Sequence, residues 1–138
     1  MTAKEYLEQY KKLDARIDAK TAQVDRLRGM LRYASGSSGG VRSTQPADKI
    51  GELTARIVDL EREINSEIDE LFELRREIKS RIAALPDPIH RDILEMRYIN
   101  CWTVVKVAMK RRCSVETIYN NQREALKSFT DYYSMSVI

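Results

Sequence analysis

The chain has 138 residues, of which 33% are charged and only 7% aromatic, and its formal net charge is +3. This composition suits long solvent-exposed helices better than a thick globular core. The sequence also argues against a membrane protein, because no apolar run approaches the roughly 20 residues that span a bilayer. The N-terminus also lacks the apolar stretch of a signal peptide, so we expect a cytoplasmic protein without a membrane partner.

Apolar residues recur every three or four positions over residues 2–33, which is the spacing of one helix face. One seam position of the heptads holds Tyr10, Ile17, Val24 and Leu31, and the other holds Tyr6, Leu13, Lys20 and Leu27. A lysine at position 20 can extend its amine out of the seam or specify the pairing register. The pattern therefore predicts a first long helix that pairs along this seam.

A Ser- and Gly-rich stretch follows, and we predict a flexible linker at residues 34–46. A second long helix is predicted over residues 47–84, with a seam of Ile50, Ile57, Ile64, Leu71, Ile78 and Leu85 beside Leu53, Leu60 and Leu74. We expect the two helices to pair antiparallel as a coiled-coil-like hairpin over residues 1–84. Because two helices alone bury little area, and Ile68 and Ile82 widen the stripe, we also expect a homodimer through this hairpin.

Carboxylates at helical spacing in the second helix raise the possibility of a metal or acid–base site; they are Glu63, Glu67, Glu70, Glu73 and Glu77. Basic residues interleave with them, which is typical of a solvated face with ion pairs. His90 is the only histidine of the sequence, and there is no phosphate-binding glycine loop. We therefore predict no enzyme, no metal and no cofactor, and expect Cys101 and Cys113 to be thiols.

Pro86 and Pro88 end the second helix and mark the predicted domain boundary. Beyond it we predict a small domain at residues 85–131 and a frayed tail at residues 132–138. A third helix is expected at about residues 89–99, followed by a turn at residues 100–102.

Two short amphipathic helices come next, and each follows a hydroxyl residue suited to an N-cap, Thr103 and Ser114. The small Ala108 lies where two such helices would cross closely. The shared core is expected to contain Trp102, Val104, Val107, Ile118, Ala125, Leu126 and Phe129. The sequence thus predicts an all-α protein that ends in a helix-turn-helix, with its second helix at residues 114–129.

Charge around this second helix indicates DNA, because residues 103–127 contain six basic and two acidic side chains. With Ile118 turned inward, the residues expected to read bases in the major groove are Val115, Glu116, Thr117, Tyr119, Asn120 and Arg123. Those expected to contact phosphates are Thr103, Lys106, Lys110, Arg111, Arg112, Ser114 and Lys127. The partner predicted from the residues is therefore double-stranded DNA.

Several segments of the last third resemble region four of bacterial sigma factors, the region that binds the promoter −35 element. They are residues 91–99, Trp102-Thr103, residues 114–119 and Ala125-Leu126. Arg111 departs from this pattern, since region four usually has an apolar residue there, and the turn is expected to pack differently. Val105-Lys106 stands where relatives tend to have Glu-Glu, so Lys106 is a further phosphate candidate and Val105 a candidate polymerase contact.

The whole chain resembles the ArpU/RinA-type late-gene transcriptional regulators of phages and prophages. The segments that carry this resemblance are Tyr6-Leu7, Leu13-Asp14, residues 17–20, Leu27-Arg28, the linker, residues 48–50, 57–61 and 63–65, Ile68-Asp69 and residues 74–78. The resemblance implies a DNA-binding activator of phage late genes in the cytoplasm of a bacterial host, without catalysis.

Two alternatives remain open at this point. One is a protein–protein module that binds RNA polymerase or a sigma factor as a mimic of region four. The other is a small terminase-like packaging protein, which also combines DNA-binding helices with an oligomerising coil.

Overall fold

The computed structural model describes residues 1–35 and 47–137, so most of the predicted linker at residues 34–46 lies outside the described residues. Within these ranges the chain forms no strand, and its α-helices are α1 (Ala3–Ala34), α2 (Ala47–Ala83), α3 (Pro88–Leu94), α4 (Val104–Arg111) and α5 (Val115–Tyr132). The predicted all-α class is confirmed. None of the described helices is long and apolar enough to cross a membrane.

The chain divides into two compact units. One unit is Asp14–Glu70, and the other combines Met1–Leu13 with the chain from Leu71 onward. The first turns of α1 and the last turns of α2 therefore belong with the C-terminal helices. The domain boundary that we predicted after residue 84 stays a prediction.

In the unit Asp14–Glu70, segments of α1 and α2 pack through apolar residues of the predicted seam: Val24, Leu27, Leu31, Ile57, Leu60 and Ile64. Ion pairs flank these contacts. Lys20 Nζ lies 2.6 Å from Glu67 Oε1 and 3.3 Å from Glu63 Oε2, and Arg28 pairs with Glu61. Residue numbers rise along α1 as those of its partners fall along α2, so these two segments run antiparallel.

Lys20, the polar residue of the α1 seam, is held by carboxylates of α2. Its hydrogen bond with Glu67 is the main cause that raises the pKa of Lys20. The stabilisation is therefore present below the ordinary lysine pKa and is lost as the pH rises through the raised value. The Glu67 side chain is only 12% exposed, and its Oε2 has no hydrogen-bond partner among the described residues. Lys20 is the nearer of two cations beside this carboxylate, since Arg16 Nη1 lies 3.8 Å from Glu67 Oε1.

In the other unit, Phe129 of α5 is fully buried among aromatic side chains. Its ring stacks on Tyr6 at a centroid distance of 5.9 Å and lies 4.7 Å from the ring of Tyr133. The Arg81 guanidinium lies over both tyrosine rings, and the Tyr133 hydroxyl donates to the Arg81 carbonyl oxygen at 2.6 Å. The frayed tail expected at residues 132–138 is therefore wrong for Tyr133, which packs into this cluster.

A second apolar cluster joins α3, α4 and the first turns of α5. It contains Ile93, Val104, Val107, Ala108 and Ile118, with Met96, Trp102 and Cys113 packed against them. Ala125 and Phe129, which we expected in the same core, belong instead to the cluster around Tyr6. Five residues of the predicted core are buried and two, Trp102 and Leu126, are half-buried, and the single core that we expected is two clusters.

The third helix begins at an aspartate cap and ends in a wider turn. Asp87 accepts a hydrogen bond from the Ile89 amide at 2.9 Å. After α3 the chain continues without a break as a π-helical turn, Glu95–Ile99, which the Asn100 amide closes by donating to the Glu95 carbonyl at 2.9 Å. Together these two elements match the third helix predicted at residues 89–99.

The chain turns between α4 and α5 through a left-handed residue. Arg112 has φ 56° and ψ 50°, a conformation usually taken there by glycine. Its amide donates to the Met109 carbonyl at 3.3 Å, and the Cys113 amide donates to the Ala108 carbonyl at 3.1 Å. These are the two hydrogen bonds of a Schellman motif. With Cys113 in the apolar cluster, the turn closes without an apolar residue at position 111.

Replacing Arg112 by glycine should stabilise the protein by about 0.5–1 kcal/mol, because glycine adopts positive φ without the steric cost of a Cβ. Urea unfolding followed by circular dichroism measures this change. Lys110→Gly, inside the last turn of α4, is the matched control and should cost about 1 kcal/mol. A loss of stability in Arg112→Gly would contradict this account of the turn.

Lys20→Met should lower the thermal unfolding midpoint, because it removes the nearer of the two cations beside the largely buried Glu67 carboxylate and leaves only Arg16 Nη1, at 3.8 Å. The double variant Lys20→Met/Glu67→Leu should recover the midpoint, since both charges are then gone. Arg28→Met, which removes an exposed ion pair, is the control and should change little. A Lys20→Met protein as stable as the parent would show that Glu67 does not need this partner.

Candidate nucleic-acid interface

Hydroxyl side chains begin both helices on either side of the left-handed turn. The Thr103 hydroxyl accepts from the Lys106 amide at 3.1 Å, and the Ser114 hydroxyl accepts from the Thr117 amide at 3.1 Å. The hydroxyl groups of Ser114 and Thr117 are also hydrogen-bonded to each other, with 2.8 Å between their oxygens. Both predicted N-caps are confirmed. Capping leaves other first-turn amides of each helix without an intrahelical partner, which favours an anion nearby.

Helix α5 has one buried and one exposed face. Ile118, Ala125 and Phe129 are completely buried on the inner face. The six residues predicted to read bases are all exposed: Val115, Glu116, Thr117, Tyr119, Asn120 and Arg123. They fall within the first three turns of the helix. The structure therefore brings the predicted base-reading residues together on one solvent-facing surface.

Two of these residues contact each other. Arg123 Nη1 donates to Asn120 Oδ1 at 3.2 Å. An amide oxygen has two lone pairs, so Asn120 Oδ1 retains one acceptor position while its amino group remains a donor. That donor and acceptor pair is what the edge of an adenine requires in the major groove.

Three of the residues predicted to contact phosphates are exposed cations around α4. Lys110 and Arg112 make no side-chain ion pair with any residue in the described ranges. The Lys106 amine lies 4.3 Å from the centre of the Trp102 ring, a cation–π contact that leaves it at the surface. These three side chains are free to approach a polyanion.

Two other predicted phosphate residues lie in less favourable surroundings. Arg111 is half-buried, and its Nη1 lies 3.3 Å from Asp92 Oδ2 on α3. Lys127 is exposed but shares a shallow groove with Glu124 and Asp131. The structure thus pairs Arg111 with the exposed carboxylate of Asp92 and places Lys127 between carboxylates.

A polar cleft of about 240 Å³ lies beside the exposed face of α5. The first turns of α1 line one side with Lys4, Glu8 and Lys11, which share a helix face at i, i+4 and i+7. Other lining residues include Arg97, Trp102, Thr103 and Tyr119. The cleft therefore adjoins two residues of the predicted interface, Thr103 and Tyr119.

Arg97 and Tyr98 both line this cleft. Arg97 donates to Gln122 Oε1 and to the Trp102 carbonyl oxygen, both at 2.7 Å, and so links α5 to the turn before α4. Burial raises the pKa of Tyr98 to about 12, and the nearby Glu8 carboxylate acts in the same direction. Tyr98 thus stays neutral at physiological pH.

Sequence reasoning did not select Lys4, Lys11 or Arg97 as site residues. The charge count that pointed to DNA covered residues 103–127, and the lysines of α1 are about 100 positions away along the chain. Helical periodicity places Lys4 and Lys11 on one face but does not reveal which part of the chain lies opposite. No local signal in the sequence identifies this neighbour.

Comparison with known proteins gives one family. No curated protein and no solved structure matches this chain. Residues 37–130 match the model of a family described as "Protein of unknown function (DUF1492)", and this match covers α2 to α5 almost completely. The chain therefore belongs to the DUF1492 family.

Proposed function

We propose that this protein is a sequence-specific DNA-binding transcriptional regulator that reads the major groove with α5. One observation carries the proposal: the inner face of α5 is completely buried, whereas its outer face offers hydrogen-bonding and aromatic side chains to solvent. A helix supported in this way can enter a major groove without disturbing its own core. The resemblance to phage late-gene activators supports this function and suggests late promoters as targets.

The chemistry of the exposed face fits base edges. Asn120 suits adenine, Arg123 suits guanine, and Glu116 suits the amino group of cytosine. Lys110 and Arg112, at the turn before α5, suit the phosphates that flank the groove. The expected homodimer would present two such helices to a two-fold symmetric site. Its test is sedimentation of the full chain at micromolar concentration.

Asn120→Ala and Arg123→Ala should each weaken discrimination between the preferred duplex and a base-substituted duplex by about 1–3 kcal/mol, because each removes a base contact. The preferred duplex is obtained by selecting a random-sequence library with the full-length protein. Fluorescence anisotropy with both duplexes then measures the discrimination.

Lys127→Ala is the contrasting variant, since a phosphate contact carries no sequence information. It should lower the affinity for both duplexes alike and reduce the salt slope by at most about 1. Unchanged discrimination in both Asn120→Ala and Arg123→Ala would mean that the recognition face is assigned wrongly. Failure of the parent protein to bind any duplex at low salt would overturn the proposed function.

A contact with the transcription machinery is a second candidate function, favoured by exposed apolar residues on α4. Val105 is 58% exposed and Met109 is 76% exposed, and they lie one helical turn apart. Neither is needed for the apolar cluster under α4, which Val104, Val107 and Ala108 fill. Adjacent exposed apolar side chains of this kind suit a protein partner, for which RNA polymerase holoenzyme is our candidate.

Val105→Ser/Met109→Gln should therefore reduce transcription from a bound promoter while leaving duplex affinity unchanged. In-vitro transcription with bacterial RNA polymerase holoenzyme, beside anisotropy on the same promoter fragment, separates the two effects. Val115→Ser is the control, because this exposed valine belongs to the proposed DNA face. Its replacement should lower duplex affinity, and transcription should fall only as a result. Full transcription by the α4 double variant would remove the basis for this second function.

A further inference from the structure

The cleft beside α5 contains cations that the folded protein leaves unpaired. Lys4 and Lys11 project from α1, and neither makes an ion pair or side-chain hydrogen bond anywhere in the described part of the chain. Glu8 is the one carboxylate among the residues that line the cleft, and Arg97 adds a further positive charge. Positive charge thus exceeds negative charge in a polar cavity that suits an anionic ligand.

The hydrogen bonds of Arg97 show that this cleft is a built feature of the fold. Its guanidinium donates to the Trp102 carbonyl oxygen and to Gln122, both at 2.7 Å. These bonds attach the turn before α4 to the side of α5. The Thr103 cap at the start of α4 therefore opens onto the same cavity as Tyr119 of α5. An anion held here would approach the amides of the first turn of α4.

The position of the cleft identifies its ligand. Tyr119 borders the cleft and also belongs to the exposed face that we propose for the major groove. A duplex whose groove receives α5 has a phosphodiester strand along each side of that helix. One of these two DNA strands would then lie along the side of α5 that carries Tyr119, next to Lys4 and Lys11.

We propose that the cleft binds backbone phosphates of the DNA duplex and that Lys4 and Lys11 of α1 are phosphate contacts. The inference rests on the proposed DNA binding and extends it to the N-terminal helix. The first turns of α1 then form a second wall of the interface opposite α5. Their contribution is electrostatic and independent of sequence.

The test compares the salt dependence of DNA binding among three double variants of the full-length chain. The probe is a labelled random-sequence duplex of about 30 base pairs, titrated by fluorescence anisotropy at several salt concentrations. Lys4→Gln/Lys11→Gln removes the two cleft charges, and Lys4→Arg/Lys11→Arg keeps them. Lys12→Gln/Arg75→Gln removes two exposed charges of the same unit outside the cleft. Circular dichroism checks that all variants keep the helical content of the parent.

The glutamine variant of the cleft should bind on the order of tenfold more weakly at moderate salt, with a salt slope reduced by about two. The arginine variant and the control outside the cleft should keep the slope of the parent. Equal slopes in the two glutamine variants would overturn the phosphate cleft and leave DNA binding by α5 intact. Absence of duplex binding by the parent would instead overturn the proposed function, and the cleft proposal with it.

Discussion

Burial of Phe129 is the constraint on which the arrangement of the C-terminal helices depends. The ring is enclosed by Tyr6 of α1 and by Tyr133 beyond the end of α5, and Arg81 of α2 covers both tyrosines. Aromatic side chains bury more area than any others and favour offset or edge-on contacts. The Phe129 ring therefore joins the second half of α5 to α1, and the two tyrosines extend this contact to Arg81 of α2.

The inner face of α5 contributes to two apolar clusters, one after the other along the helix. Ile118 belongs to the cluster with α3 and α4, whereas Ala125 and Phe129 belong to the cluster with α1 and α2. A helix held at both ends of its inner face cannot roll about its axis without exposing one cluster. The orientation of the exposed face is thereby determined, and the distance from Tyr119 to Lys4 is set by packing.

Local patterns in the sequence account for much of this fold. Heptad spacing indicated the buried faces of α1 and α2, and the hydroxyl residues Thr103 and Ser114 indicated the helix starts, because a cap depends only on residues within one turn. The turn was harder to predict. Arg111 lies in the position expected to be apolar, and the Schellman hydrogen bonds through Arg112 do not require a core residue there.

Contacts between distant parts of the chain could not be predicted from such local patterns. Periodicity shows that Tyr6 faces inward, but it does not show that Phe129 lies against it. The same limit hid the cleft at Lys4 and made the tail at Tyr133 look frayed, since a short segment after the last helix gives no sign of the ring on which it packs. The exposed face of α5 was predictable because one inward residue, Ile118, determines the direction of its neighbours on the same helix.

Charge pairing explains how a small net charge is compatible with a DNA interface. In the unit Asp14–Glu70, Lys20 and Arg28 are paired with carboxylates of α2. At the C-terminal helices, Lys110 and Arg112 have no carboxylate partner within the described ranges. A polyanion responds to unpaired charge within about 8–10 Å, the screening length at physiological salt, and not to the sum over the chain. A net charge of +3 is thus no argument against DNA, because the paired charges of the unit Asp14–Glu70 cancel locally and those of Lys110 and Arg112 do not.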